Sequence, residues 1–68
     1  MMAGTVRFFH PEAGFGSIMP LRGGMDAHVT IAAVRIAGWE TLEPDQRLRY
    51  DLAIDQYGRI SAINLEQA

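Results

Sequence analysis

From Arg47 to Ile54 the chain alternates residue by residue, with Leu48, Tyr50, Leu52 and Ile54 on one side and Arg47, Arg49, Asp51 and Ala53 on the other. That two-residue period belongs to a β-strand with one dry and one wet face. A strand of this kind must lay its dry face on something, and a chain of 68 residues can offer only other short elements. Thr5 to Phe9, β-branched and aromatic, reads as a strand closed by His10-Pro11. Pro11 to Gly14 turns the chain into a second strand, Phe15 to Met19, stopped by Pro20. After the loop Arg22 to Met25, Asp26 to Thr30 forms a third strand, with Ala27 and Val29 facing one way and Asp26, His28 and Thr30 the other. Ile31 to Ala37 tolerates one helical turn before Gly38 ends it, and a loop runs from Trp39 to Asp45. Beyond the turn Gln56-Tyr57-Gly58, Arg59 to Leu65 is the last strand.

Five short strands left flat would expose an apolar face and two edges, so the sheet is expected to coil on itself. The expected fold is all-β, a five-stranded antiparallel barrel forming one domain over residues 1–68, with its core between about 4 and 65. Val6, Ile18, Val29, Leu48, Leu52, Ile54, Ile63 and Leu65 are expected inside. Tyr50 shares the phase of Leu48 and belongs to the core with its hydroxyl near the barrel rim. Ile60 falls on the opposite face from Ile63, which a β-bulge would explain.

Composition narrows the function classes. The chain has no cysteine and two histidines, His10 and His28, so neither a disulfide nor a metal site is expected, and no cofactor is implied. Six basic and eight acidic side chains give a net charge of −2, so charge alone does not advertise nucleic-acid binding. A local patch remains open, and all six basic residues are arginine, which binds phosphate and stacks on bases. The opening residues lack a basic leader with an apolar run, and no stretch is long enough to span a membrane, so a cytoplasmic protein without membrane contact is expected. Catalysis finds no support. Ser17 would need His28 from the next strand and a third orienting group, and Asp26 is poorly placed for that role on the same strand as His28. Gly14-Phe15-Gly16 is too short for a phosphate-binding loop.

Five segments, in order, carry a family resemblance. Gly4-Thr5-Val6-Arg7-Phe8-Phe9 is similar to Gly-x-Val-Lys-Trp-Phe, and Ala13-Gly14-Phe15-Gly16-Ser17-Ile18 to Lys-Gly-Phe-Gly-Phe-Ile. Asp26-Ala27-His28-Val29-Thr30 is similar to Asp-Val-Phe-Val-His. Gly38-Trp39-Glu40-Thr41-Leu42 followed by Gln46 matches a Gly-aromatic-x-x-Leu segment and its Gln-led strand, and Asn64-Leu65 a closing Asn-Val. The chain thus resembles the bacterial cold-shock protein family from Gly4 to about Leu65. The resemblance implies an OB-type barrel that binds single-stranded RNA or DNA through exposed aromatic rings with basic residues beside them. Carried over by position, it implies a non-catalytic, nucleic-acid-binding face of Phe8, Phe15, His28 and Trp39 with Arg7, Arg22 and Arg59. Ser17, Thr30 and Ile31 stand where the family stacks rings, and Ala13 where it has a lysine, so weak and sequence-tolerant binding is the expectation.

Each residue also has a structural reading. Alternation alone puts Phe8 with Val6 in the core, whereas the resemblance puts it on the wet face, and the wet face is the expectation adopted. His28 between Asp26 and Thr30 could hydrogen-bond a carboxylate as well as stack. Trp39 could cap the barrel mouth. The functional alternative is a barrel that has exchanged nucleic acid for a protein partner or for a second copy of itself.

Overall fold

The structure, a computed structural model, describes residues 2–68. The elements run β1 (Met2–His10), β2 (Phe15–Pro20), β3 (Ala27–Thr30), α1 (Ile31–Ile36), β4 (Arg47–Ile54) and β5 (Ile60–Gln67). They close into a barrel in the order β1-β2-β3-β5-β4, with β4 paired back to β1. This is the expected OB-type barrel, with one refinement. A closed ring with an odd number of strands cannot be antiparallel at every seam, and the parallel seam is β3 with β5, at His28↔Ser61.

Two bulges set which side chains face inward. In the β1–β2 ladder Val6 pairs with Ile18 and Phe8 with Ser17, so β1 spends two residues where β2 spends one. Val6 and Phe9 therefore both point into the core, and Phe8 turns out to the half-buried outer face. Gly16 permits this. A Cβ there would collide with the Phe8 carbonyl oxygen and lie 2.6 Å from Phe9 Cδ1. The second bulge is in β5, where Arg49↔Glu66 is followed by Asp51↔Ile63. Three steps along β5 match two along β4, and Asn64 takes the slack in a left-handed conformation (φ 53°), which asparagine tolerates.

The core contains Val6, Phe9, Ile18, Val29, Leu48, Tyr50, Ala62 and Leu65, with Val34 from α1 and Leu42 from the following loop. Six helical residues would not hold together in isolation, so α1 depends on its ends and on the burial of Val34. Thr30 Oγ1 accepts the Ala33 N–H at 3.3 Å. At the other end Gly38 adopts φ 89° and the Trp39 N–H returns to the Val34 carbonyl at 3.1 Å.

Three expected core residues are outside. Ile63 is exposed because the Asn64 bulge shifts the phase of β5, placing Ala62 and Leu65 inward instead. Leu52 and Ile54, 45% and 69% exposed, keep the inward parity of Leu48 and Tyr50 but lie past the end of the β1–β4 ladder at Met2↔Tyr50. The dry face continues there without a wall to cover it. Ile60, opposite Ile54, joins this face, and Leu52, Ala53, Ile54 and Ile60 line a shallow groove. Tyr50 is in the core as expected, but its hydroxyl is buried rather than at the rim, with no hydrogen-bond partner among the described residues. Burial, and secondarily the charge of Asp26, push its pKa above that of an ordinary phenol.

Four variants check this packing by denaturant unfolding. Leu48→Ala should cost about 2–5 kcal/mol, as core leucine truncations do, whereas Leu52→Ala should cost less than about 1 kcal/mol. Equal losses would mean that Leu52 is covered after all. Gly16→Ala should destabilise by about 1–3 kcal/mol or more, the range for overpacking against backbone that cannot move away. Tyr50→Phe should be neutral or stabilising, since it removes a buried hydroxyl that no protein group satisfies; a loss above about 1 kcal/mol would reveal a hydrogen bond there.

Candidate nucleic-acid interface

The outer face of β1, β2 and β3 is laid out in two rows by the strand register. One row is Phe8, Ser17 and His28; the other is His10, Phe15 and Thr30. Phe15 is the hub. Its ring meets Phe8 edge-on at 6.3 Å between centroids and His10 edge-on at 6.2 Å, and lies nearly parallel to His28 at 6.0 Å and 17°. Phe8 and His10 are themselves 5.2 Å apart. Phe15 is 40% exposed, so part of its ring is open to solvent. Four flat rings on a rigid, twisted surface make a platform on which unpaired bases can stack.

The structure therefore brings Phe8, Phe15 and His28 together. Arg7 stands beside them, held by Asp26 at 2.7 Å through Nε, with a second contact of 3.4 Å through its terminal nitrogen. Ser17 donates its hydroxyl to the same carboxylate at 3.1 Å. The hydrogen bond from Arg7 is the main reason the Asp26 carboxyl sits below its ordinary pKa; partial burial works against it and the Ser17 hydrogen bond assists. The Arg7 guanidinium is correspondingly raised.

The other expected residues make contacts of their own. Arg59, in the turn before β5, donates to Asp55 at 3.0 Å and lies over the Tyr57 ring at 5.3 Å. Asp55 also accepts the backbone N–H groups of Tyr57 and Arg59, each at 2.9 Å, and these bonds with the Arg59 side chain hold it below the usual carboxylate range, the Arg59 N–H contributing most. The His28↔Ser61 pairing puts this turn on the β3 side of the rings. Arg22 is in the loop after β2 and lines a cleft with Met2, Ala3 and Leu21. Trp39 is half-buried and packs against the core after α1, the capping position that its sequence context left open.

His10 was missed by motif matching, which had no ring at that position to carry over. The signal was present all the same: positions 8 and 10 of one strand share a face. The described residues contain no cluster of histidine, cysteine or carboxylate groups able to hold a metal, and no helix long and apolar enough to cross a membrane.

No protein-family model matches the chain. Among curated proteins it is 42% identical over 67 residues to a probable cold shock protein of Sinorhizobium fredii, covering 97% of each chain. It is 41% identical over 69 aligned positions to the cold shock protein CspA of Rhizobium meliloti, covering both chains in full. A cold shock-like protein CspA of Rickettsia bellii is 41% identical over 64 residues, spanning 94% of this chain and 90% of that one. These likenesses run the length of the barrel and include the strands that bear the rings. Together with the closed five-stranded fold, they show that the chain belongs to the cold-shock protein family, a family of non-catalytic proteins.

Proposed function

We propose that this protein binds single-stranded RNA or DNA by stacking bases on the Phe8–His10–Phe15–His28 platform, weakly and with little sequence preference. The observation that carries this reading is the half-exposed Phe15 ring, which three other rings contact while it stays open to solvent. Family membership supports the same reading. Stacking is sequence-tolerant because every base has a flat face, and a duplex keeps its bases out of reach. The cytoplasm is the compartment consistent with this role. Ser17 and Thr30 offer no stacking area, and the net charge of −2 gives little long-range attraction to phosphate. Three or four stacked bases at about 1–3 kcal/mol each, less the cost of ordering the strand, correspond to a dissociation constant of roughly micromolar or weaker.

A second reading, a self-associating or protein-binding barrel, has one observation of its own. Leu52, Ile54 and Ile60 form an uncovered apolar groove at the end of the β4–β5 hairpin.

Titration of labelled oligothymidine and oligoadenosine, followed by fluorescence anisotropy past 100 μM protein at low salt, separates the two. Both single strands should bind, and a duplex of the same length much less. Phe15→Ala should weaken binding by about 5- to 150-fold, the equivalent of one lost stacked base. Arg47→Ala, on the outer face of β4, should change it little. Absence of any response with both single strands would end the nucleic-acid reading and leave self-association, read by sedimentation of the wild type against Ile54→Lys, in its place.

A further inference from the structure

The two histidines of the chain are on the same face, one on each side of Phe15. His10 approaches its edge from β1, and His28 lies nearly parallel to it from β3. The arginines of the expected site that flank this face bring little free charge. Arg7 is held by Asp26, and Arg59 by Asp55. Each pair sums to zero, so with neutral imidazoles neither arginine leaves a free positive charge beside the rings. From the geometry we infer that His10 is a binding residue of this platform, and that His10 and His28 together make its affinity for single strands proton-dependent. This inference rests on the nucleic-acid reading above and adds the control of that site.

Histidine is the side chain whose ordinary charge change falls between pH 5 and 8. The groups facing each imidazole are these. Across from His28 are Ser17 on β2 and Ser61 on β5, both uncharged. The nearby carboxylates are engaged: Asp26 by Arg7 and Ser17, Asp55 by Arg59 with Ser61 at 3.5 Å. Beside His10 are Phe8 and Phe15, with Glu12 the charged group lining the groove that His10 and Pro11 form in the turn. Glu12 is exposed. A base stacked on Phe15 carries its phosphates past one imidazole or the other, and a protonated ring meets them with both a flat face and a positive charge.

The sign follows directly. Protonation adds up to two positive charges to a face whose flanking arginines are already paired, so affinity rises as pH falls. Two unit charges, each about 6 Å from a phosphate at the dielectric constant of water, correspond to about tenfold tighter binding. Two more neutralised phosphates should also steepen the logarithmic salt dependence by about 1.4, at about 0.7 per phosphate on a single strand.

The test uses labelled oligothymidine, whose base does not titrate in this range, with the full chain at pH 6.0 and 8.0 and at two salt concentrations. Wild type should bind several-fold to tenfold more tightly at pH 6.0, with the steeper salt slope there. The double variant His10→Phe/His28→Phe keeps both rings and loses both protons. Whatever its affinity at pH 8.0, it should show neither the pH response nor the change of slope. His10→Phe alone should lose roughly half the response, and circular dichroism at both pH values would verify that each variant is folded. Binding that is equal within twofold at the two pH values, or a response that survives in the double variant, overturns the inference and leaves the stacking function standing. No binding at either pH overturns both.

Discussion

The β1 bulge between Val6 and Phe8 is the feature on which the rest of this molecule depends. Phe8 and Phe9 are adjacent, and an unbroken strand would send Phe8 and His10 inward with Val6 while Phe9 faced water. A one-residue slip of this kind exchanges the two faces of a strand. Because β1 spends one extra residue opposite Ser17, Phe9 completes the core next to Val6, and Phe8 and His10 both reach the outer surface. Just past the bulge the Phe8 carbonyl and Phe9 come so close to Gly16 that a side chain there has no room. Core and platform are thus two results of the same local geometry.

The parity of the strand ring has a second consequence. Five strands cannot close antiparallel throughout, so β5 lies parallel to β3 and delivers the β4–β5 turn to the platform's far side. Asp55 stiffens that turn by accepting two backbone N–H groups and the Arg59 guanidinium. The Arg7–Asp26 pair stands on the side of β1 and β3, so the rings are bordered by paired charges rather than by free ones. Such a face offers flat ring surface more than a net electrostatic field.

Much of this was legible in the sequence, and the residues that were not have physical reasons. Alternation located β4 to the residue and placed Leu48 and Tyr50 inside, because parity is a local property of a strand. It could not tell that Leu52 and Ile54, of the same parity, lack a covering wall, since that depends on how far β1 runs beside them. Ile63 was assigned inward by counting back from Leu65, and the bulge at Asn64 intervened. The misfit of Ile60 was the visible trace of that bulge, and an asparagine within a strand pattern was its local sign. The Phe8 orientation came from resemblance rather than from alternation, because the bulge that produces it is a matter of long-range pairing. Trp39 was readable as an aromatic at a familiar position, but the helix end that packs it against the core is set by Gly38 and Val34 in three dimensions. His10 needed only the two-residue period from Phe8.

The positions that lost their rings have become part of the scaffold. Ser17 holds Asp26, which in turn holds Arg7, and Thr30 caps α1 through Ala33. A hydroxyl can do this and a phenyl ring cannot, since each bond needs a small acceptor or donor close to the backbone. At these two positions of β2 and β3 local hydrogen bonds therefore stand in place of stacking area. The rings that are present gather toward the β1–β2 ladder, where His10 and Phe15 face each other. The bulge at Phe8 makes that grouping available, because it turns Phe8 and His10 to the same outer surface as Phe15.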